Sequence, residues 1–376
     1  MAKNSKNLLK LSVLCLIFMF AGVLFLLVYP LLTSGDKALD EQIFVDNGRK
    51  PLDGFLVDGN ANALYPFADD TVLQVSSGTV EYLNMQGVSN RSQPVQLNKP
   101  QVVNNLKYAV IYDEGGTNYY LFDRYGLVYR AKAKDSIQGA SLSADGHVAL
   151  IMQGDKSKGA VRLMSPEGKH LFDYDIKDRQ NSGYLLGAAF SQDGNFLDLS
   201  LLNTDGVKMY PLLTRFSLNT LKVVVNYQIS YNGALPLILQ SRVNSLVLLS
   251  ESDVFHLVNR KFKRWFSLAE LKEAREVHNG IALLASRTFQ GSLRLYYVDT
   301  SDAEPNENNS VAVGNNPEKL ITNANYATLH DGNTVYRINM SNFKSEKFKV
   351  SSNIIRLALD SRNRLIIVTE NKVLRV

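Results

Sequence analysis

The chain has 376 residues, 45% apolar, 10% aromatic and 20% charged, a balance that excludes a disordered or fibrous protein. Its formal charge is +5, but three of those charges are Lys3, Lys6 and Lys10, in a stretch (1–35) without any acid; residues 36–376 carry only +2, which leaves little electrostatic case for a nucleic-acid partner. The single cysteine, Cys15, rules out an internal disulfide framework, and a bacterial, Gram-positive source is then more natural than a eukaryotic ectodomain.

Residues 1–10 form a short basic tail. Residues 11–32, "LSVLCLIFMFAGVLFLLVYPLL", contain no charge. At 1.5 Å per residue that run is long enough to cross the hydrocarbon core as one helix. A cleaved signal peptide would have a shorter apolar region and a small-x-small site, which "YPLLTSG" does not offer. A lipoprotein would need small residues just before its cysteine, and Cys15 sits inside "VLCLI". The segment therefore reads as an uncleaved signal anchor in contact with the lipid bilayer. The three lysines place the N-terminus in the cytoplasm and the rest of the chain outside it.

Residues 33–62 read as a linker, with "EQIFVD" (41–46) as a candidate outer strand. From residue 63 to 376 the chain is a succession of short apolar and aromatic strands separated by turns. Turns recur at "NMQG" (84–87), "DRYG" (123–126), "SPEG" (165–168), "SLNT" (217–220), "VNRKF" (258–262), "DTSD" (299–302) and "NMSN" (339–342). This spacing of about 40–50 residues is the period of a four-stranded propeller blade. The phrase "SLSADGHVALIM" (141–152) returns as "AFSQDGNFLDLS" (189–200). In each, Ser-x-Asp-Gly precedes an apolar run: Asp bonds its own downstream backbone and Gly supplies a positive φ, as a tight turn from the innermost to the second strand requires.

Those two phrases resemble the blade turns of WD-repeat-like and YVTN-like β-propellers, in which Pro often fills the position held here by Ala144 and Gln192. No repeat ends in Trp-Asp. The plan of an apolar segment followed by such repeats is similar to that of membrane-anchored propeller proteins of Gram-positive bacteria. The resemblance implies an all-β propeller and no particular activity. Innermost strands are expected to start near 63, 103, 138, 186, 233, 275, 319 and 353, giving eight blades, with seven as the alternative. The last unit has three strands, so a strand from upstream must close the ring; 41–46 is the candidate.

Two segments interrupt the rhythm. "SLAELKEAREVHNG" (267–280) carries Ser267 and Glu270 as a capping box and predicts a short helix. "SDAEPNENNS" (301–310) predicts an exposed hairpin loop.

No constellation for catalysis emerges. His147, His170, His256, His278 and His330 are at least 22 residues apart, which leaves no local metal spacing. "GASLS" (139–143) lacks the last glycine of a nucleophile elbow. Asp173, Asp175 and Asp178 suit either calcium or, more simply, a solvated outer strand. No cofactor is expected. The most distinctive surface stretch is "NRKFKRWF" (259–266), where Arg260, Lys261, Lys263 and Arg264 flank Trp265. It reads either as a patch for an anionic partner or as an outermost strand whose cations deter edge pairing. The expected function is a non-catalytic binding or scaffolding module in a cell-envelope complex, with an envelope protein as partner. The alternative is a sugar-cleaving or quinone-binding enzyme or sensor that uses the central channel.

Overall fold

The computed structural model describes residues 51–376 except 155–156, 178–181, 243–244, 278, 302–308 and 324. The 11–32 segment and the 41–46 candidate lie outside the described residues. The first described strand is Asp53–Leu56 (β1), followed by a 3₁₀ turn at Ala61–Ala63. Blade 1 is Leu64–Phe67 (β2), Thr71–Val75 (β3), Thr79–Asn84 (β4) and Ser89–Pro94 (β5), and blade 2 is Pro100–Asn104 (β6), Tyr108–Asp113 (β7), Asn118–Asp123 (β8) and Gly126–Lys132 (β9). Ser136–Leu142 (β10), Val148–Gln153 (β11), Ser157–Met164 (β12) and His170–Lys177 (β13) form blade 3. Tyr184–Phe190 (β14), Phe196–Asn203 (β15), Tyr210–Ser217 (β16) and Lys222–Gln228 (β17) form blade 4. Blade 5 holds Leu237–Arg242 (β18), Ser245–Leu249 (β19), Asp253–Val258 (β20) and Lys261–Ser267 (β21). Blade 6 holds Glu270–Val277 (β22), Gly280–Ser286 (β23), Arg294–Asp299 (β24) and Ser310–Ala312 (β25). Glu318–Thr322 (β26), Tyr326–Asp331 (β27), Thr334–Asn339 (β28) and Ser345–Lys349 (β29) make blade 7, and Ile354–Leu359 (β30), Leu365–Thr369 (β31) and Lys372–Arg375 (β32) make blade 8 with β1.

The ring therefore has eight blades, each a four-stranded antiparallel sheet, seven of them meanders and the eighth completed by β1. Innermost strands start within five residues of the positions expected from sequence. The Ser-x-Asp-Gly phrases are the turns β10–β11 and β14–β15. Ser143 Oγ accepts the N–H of His147 (2.7 Å) and Ser191 Oγ that of Phe196 (2.8 Å), while each hydroxyl donates to the aspartate two residues on. Gly146 and Gly194 have φ of +98° and +69°, values a side chain would strain. The turns into the fourth strand are built alike: the side-chain oxygens of Asn84, Asp123, Ser165, Ser217, Asp299 and Asn339 accept backbone N–H groups just downstream.

Second and third strands are sandwiched between neighbouring blades, which is why they lack clean alternation: every residue of β23 and of β31 is buried. Their side chains form clusters that each belong to two blades. Leu73, Val80 and Tyr82 of blade 1 pack with Ile111 and Phe122 of blade 2, and Val247 and Leu249 of blade 5 pack with Ile281 and Leu283 of blade 6. The seam is packed in the same way, by Ile366, Val368 and Val373 against Leu64 and Val72.

Two expectations change. The ring-closing strand is β1, paired with β32 from Asp53↔Arg375 to Leu56↔Lys372, and not 41–46. It is short, and "PLDGFL" reads as turn because Pro and Asp-Gly dominate it. Residues 270–277 form the innermost strand of blade 6, not a helix. Ser267, the expected cap, ends β21 and donates instead to Asp253 (2.8 Å), and the backbone of 270–277 is satisfied by β23. Tertiary pairing overrides the local signal. Most of the expected 301–310 loop lies outside the described residues.

Candidate functional site

The basic-aromatic stretch lies at the rim of the ring. β21 is the outermost strand of blade 5, and Arg260 occupies the turn before it with φ +62°. Strand alternation divides the stretch. Lys261, Lys263 and Arg264 are exposed, whereas Phe262, Trp265 and Phe266 are half-buried against the blade. Trp265 stacks on His256 of β20, ring centroids 4.4 Å apart at 29°. Burial holds the His256 imidazole below its ordinary pKa, so it is neutral near pH 7. His256 Nε2 lies 3.3 Å from Ser245 Oγ, while His256 Nδ1 and Trp265 Nε1 are buried with no hydrogen-bond partner.

The four cations are not equivalent. Arg264 pairs with Asp253, a carboxylate that also accepts from Tyr231 (2.7 Å), Ser267 (2.8 Å) and Ser252 (3.1 Å). Burial would raise the Asp253 pKa, but these bonds and the guanidinium outweigh it and hold the group below its ordinary value. Arg264 is thus part of the blade's own bonding. Arg260, Lys261 and Lys263 have no acidic partner among the described residues and leave their charge to solvent.

A second cationic region is assembled only by the fold. One face of the ring carries the turns from first to second and from third to fourth strands; we call it the upper face. Arg375, at the upper end of β32, pairs with Asp53 and with Asp70, and donates to the Asp69 carbonyl (2.9 Å) in the β2–β3 turn. The chain therefore enters the propeller at this face. From this face the channel mouth leads into a cavity of about 450 Å³, bounded by innermost strands of blades 1, 2, 6, 7 and 8, that runs from Asn105 and Leu106 at the upper turn down to Lys319 and Arg356 in the lower halves of β26 and β30. Arg275, Lys319 and Arg356 each line it from a different blade, beside Val102, Leu106 and Leu359.

Each cation is positioned by its strand. Lys319 sits at a bulge in β26, with φ +55°, and Glu273 of β22 accepts the N–H groups of Lys319 (3.0 Å) and Leu320 (2.9 Å). The same carboxylate lies 3.6 Å from Arg275 and offsets one of the three charges. Arg356 lies 3.9 Å over the Tyr65 ring and donates to the Asn62 carbonyl (3.0 Å), and its Nε is buried without an acceptor. Side chains stitch the rim across blades: Asn104 to Pro66 (2.8 Å), Ser361 to Asp69 (2.6 Å), Gln192 to Glu276 (2.9 Å).

The sequence reading missed this region because its cations are 44 and 37 residues apart. That spacing is the blade period, and a cation recurring once per innermost strand is the signal that would have found it.

The remaining candidates are structural. Asp173 accepts from Arg162 Nε and Nη2 at 2.8 and 2.9 Å, which holds its pKa down at about 2, and Asp175 pairs with Lys134. Asp178 and His278 lie outside the described residues. Among the described residues no group of three or more His, Cys, Asp or Glu side chains is arranged to hold a metal ion, and no helix is long and apolar enough to cross a membrane.

A family model described as a family of unknown function (DUF5711) matches residues 57–376. No curated protein matches the chain. Several solved structures are similar. BamB from Moraxella catarrhalis is 14% identical with a TM-score of 0.53, over 86% of this chain and 96% of that one. AztD from Citrobacter koseri is 12% identical with a TM-score of 0.52, over 77% and 87%. Sqt1 from Chaetomium thermophilum, solved bound to the N-terminus of the ribosomal protein L10, is 12% identical with a TM-score of 0.56, over 85% and 98%. At these identities the likeness is one of fold, the β-propeller.

Proposed function

The chain belongs to that family, DUF5711, and we propose that it is a non-catalytic binding module that holds a protein partner at the outer surface of the cell membrane. The observation that carries this reading is the outer edge of blade 5. Three cations, Arg260, Lys261 and Lys263, stand there without acidic partners, beside an aromatic side chain already fixed in place. A rigid ring that presents unpaired charge on an exposed strand suits docking to an acidic surface. The solved complex of Sqt1 with the N-terminus of L10 supports protein binding as a use of this fold.

The membrane part of the proposal rests on residues 11–32 and on Lys3, Lys6 and Lys10.

Two experiments test this. Protease added to protoplasts should digest everything beyond about residue 35; a protected C-terminal tag would overturn the orientation. Cross-linking in cells should recover an envelope protein with the full chain, and changing Arg260, Lys261 and Lys263 to Gln should weaken that capture in a salt-sensitive way, since the charges act within roughly 8 Å at physiological ionic strength. Unchanged capture would return the stretch to the role of a protected edge. Turnover of a sugar or a quinone by the purified protein would overturn the reading itself.

A further inference from the structure

We infer that the channel cavity reached from the upper mouth is a binding site for a small amphipathic anion, a carboxylate carried on an apolar body. The site is independent of the blade 5 edge. Its size, about 450 Å³, falls in the range of small-molecule pockets and is too small for a folded partner. Its wall has two chemistries. Val102, Leu106, Ile321, Leu357 and Leu359 supply an aliphatic side, with Leu106, in the β6–β7 turn, 44% exposed. Arg275, Lys319 and Arg356 supply the charge, with Glu273 offsetting one of the three.

Arg356 is the residue that points to a ligand. Its guanidinium is anchored on Tyr65 and on the Asn62 carbonyl, so it is held rigid, yet its Nε is buried without an acceptor. A buried donor attached to a full charge is expensive to leave unmade, and a carboxylate oxygen is the acceptor that suits it. Lys319 adds a second charge from the neighbouring blade. Its backbone is fixed by Glu273 in a left-handed conformation that lysine rarely adopts, and its side chain is exposed and has no partner among the described residues. A fixed guanidinium, an exposed ammonium and an aliphatic wall together fit a head group and a tail.

The test uses the full chain in nanodiscs of neutral phosphatidylcholine, with hexanoate as probe and ligand-observed NMR as readout. Comparison of wild type with Lys319→Gln/Arg356→Gln cancels partition of the probe into lipid. Hexanoate should bind the wild type saturably, and the double variant should bind it at least roughly tenfold more weakly. Lys319→Gln alone should weaken binding at an unchanged melting temperature, which keeps the test valid should loss of Arg356 disturb the Asn62 turn. Hexanol, with the same body and no charge, should show no difference between wild type and variant. Equal hexanoate signals from wild type and both variants would overturn the inference. So would hexanol behaving as hexanoate does, or inorganic phosphate displacing hexanoate at equal concentration, because the site would then not read both halves of the ligand.

Discussion

The two cationic regions are built on opposite principles. The edge of blade 5 draws its cations and aromatics from eight consecutive positions of one strand and its turn, although Phe262 also leans on Tyr227 of blade 4. The channel mouth takes one cation from each of blades 6, 7 and 8 and its aliphatic wall in part from blades 1 and 2, so it exists only when the ring is closed. On the edge, strand alternation spends half of the stretch on the blade's own packing and leaves three free charges. In the mouth, bulges and cross-blade bonds hold the cations. Charge clustered in sequence is thus partly consumed by local structure, and charge clustered in space has to be assembled by topology.

The most severe way to separate the two regions is to open the ring. Deleting residues 364–376 removes β31, β32 and the Arg375 latch, leaving β30 and β1 unpaired. The expected result is insoluble protein, or protein without a cooperative melt, because two sheet edges and the seam cluster are exposed. A truncated chain that melts as sharply as the intact one would show that the seam does not hold the ring. A milder version is Arg375→Met, which leaves Asp53 without its guanidinium. Arg375 is 7% exposed, but Asp53 and Asp70 reach solvent, so the expected loss is about 2–3 kcal/mol, below that of a fully buried pair. Denaturant melts should show it, with the emission of the lone tryptophan unchanged in the native baseline.

That tryptophan, Trp265, makes the edge separately visible. Trp265→Ala removes the cover of His256 and should cost about 1–3 kcal/mol, less than for a fully buried ring. Acid should act on the same stack. His256 has a folded pKa below 6.5, so its contribution to stability is complete above pH 6.5 and is lost as pH falls from there toward the folded value, where the unfolded chain takes up the proton first. His330, also lowered by burial, acts in the same window, whereas Asp173, held at about 2, loses its contribution only below about pH 4. Trp265 emission should therefore change with a midpoint below 6.5, and His256→Gln should abolish the change while leaving the His330 part of the acid destabilisation. A transition that survives His256→Gln would separate the stack from the pH response. The smallest effect should come from Arg260, Lys261 and Lys263 changed to Gln: a melting temperature almost unmoved, because exposed charges contribute little to stability. Including Arg264→Gln should cost more, since it also strips Asp253 of its partner.

Much of the ring is legible in the sequence, because its turns are chemical. Ser143 and Ser191 are written in a phrase that repeats. The same turn in blades 2, 7 and 8 is made by Asn105, Asn323 and Asp360, each accepting two downstream N–H groups. The role is constant and the letter is not, so the phrase looks sharp in two blades only. What escaped reading was decided by distant partners. Residues 270–277 have the capping residues of a helix but find β23 beside them, and β1 has almost no strand character and is a strand because blade 8 needs a fourth strand beside β32. Of the candidate sites, the edge was legible as a run of letters. Its inequality was not, since Asp253, eleven residues before Arg264, claims that arginine only across the β20–β21 pairing.

The central claim is that a protein partner docks on the edge of blade 5 and that the mouth serves something smaller. It is tested most directly by site-specific photo-cross-linking in cells, with the photoreactive residue placed at position 263 in one strain and at position 319 in another, both in the full chain. The account predicts a discrete protein adduct from position 263, lost when Arg260 and Lys261 are changed to Gln, and no protein adduct from position 319. A protein adduct from position 319 with none from position 263 would contradict it.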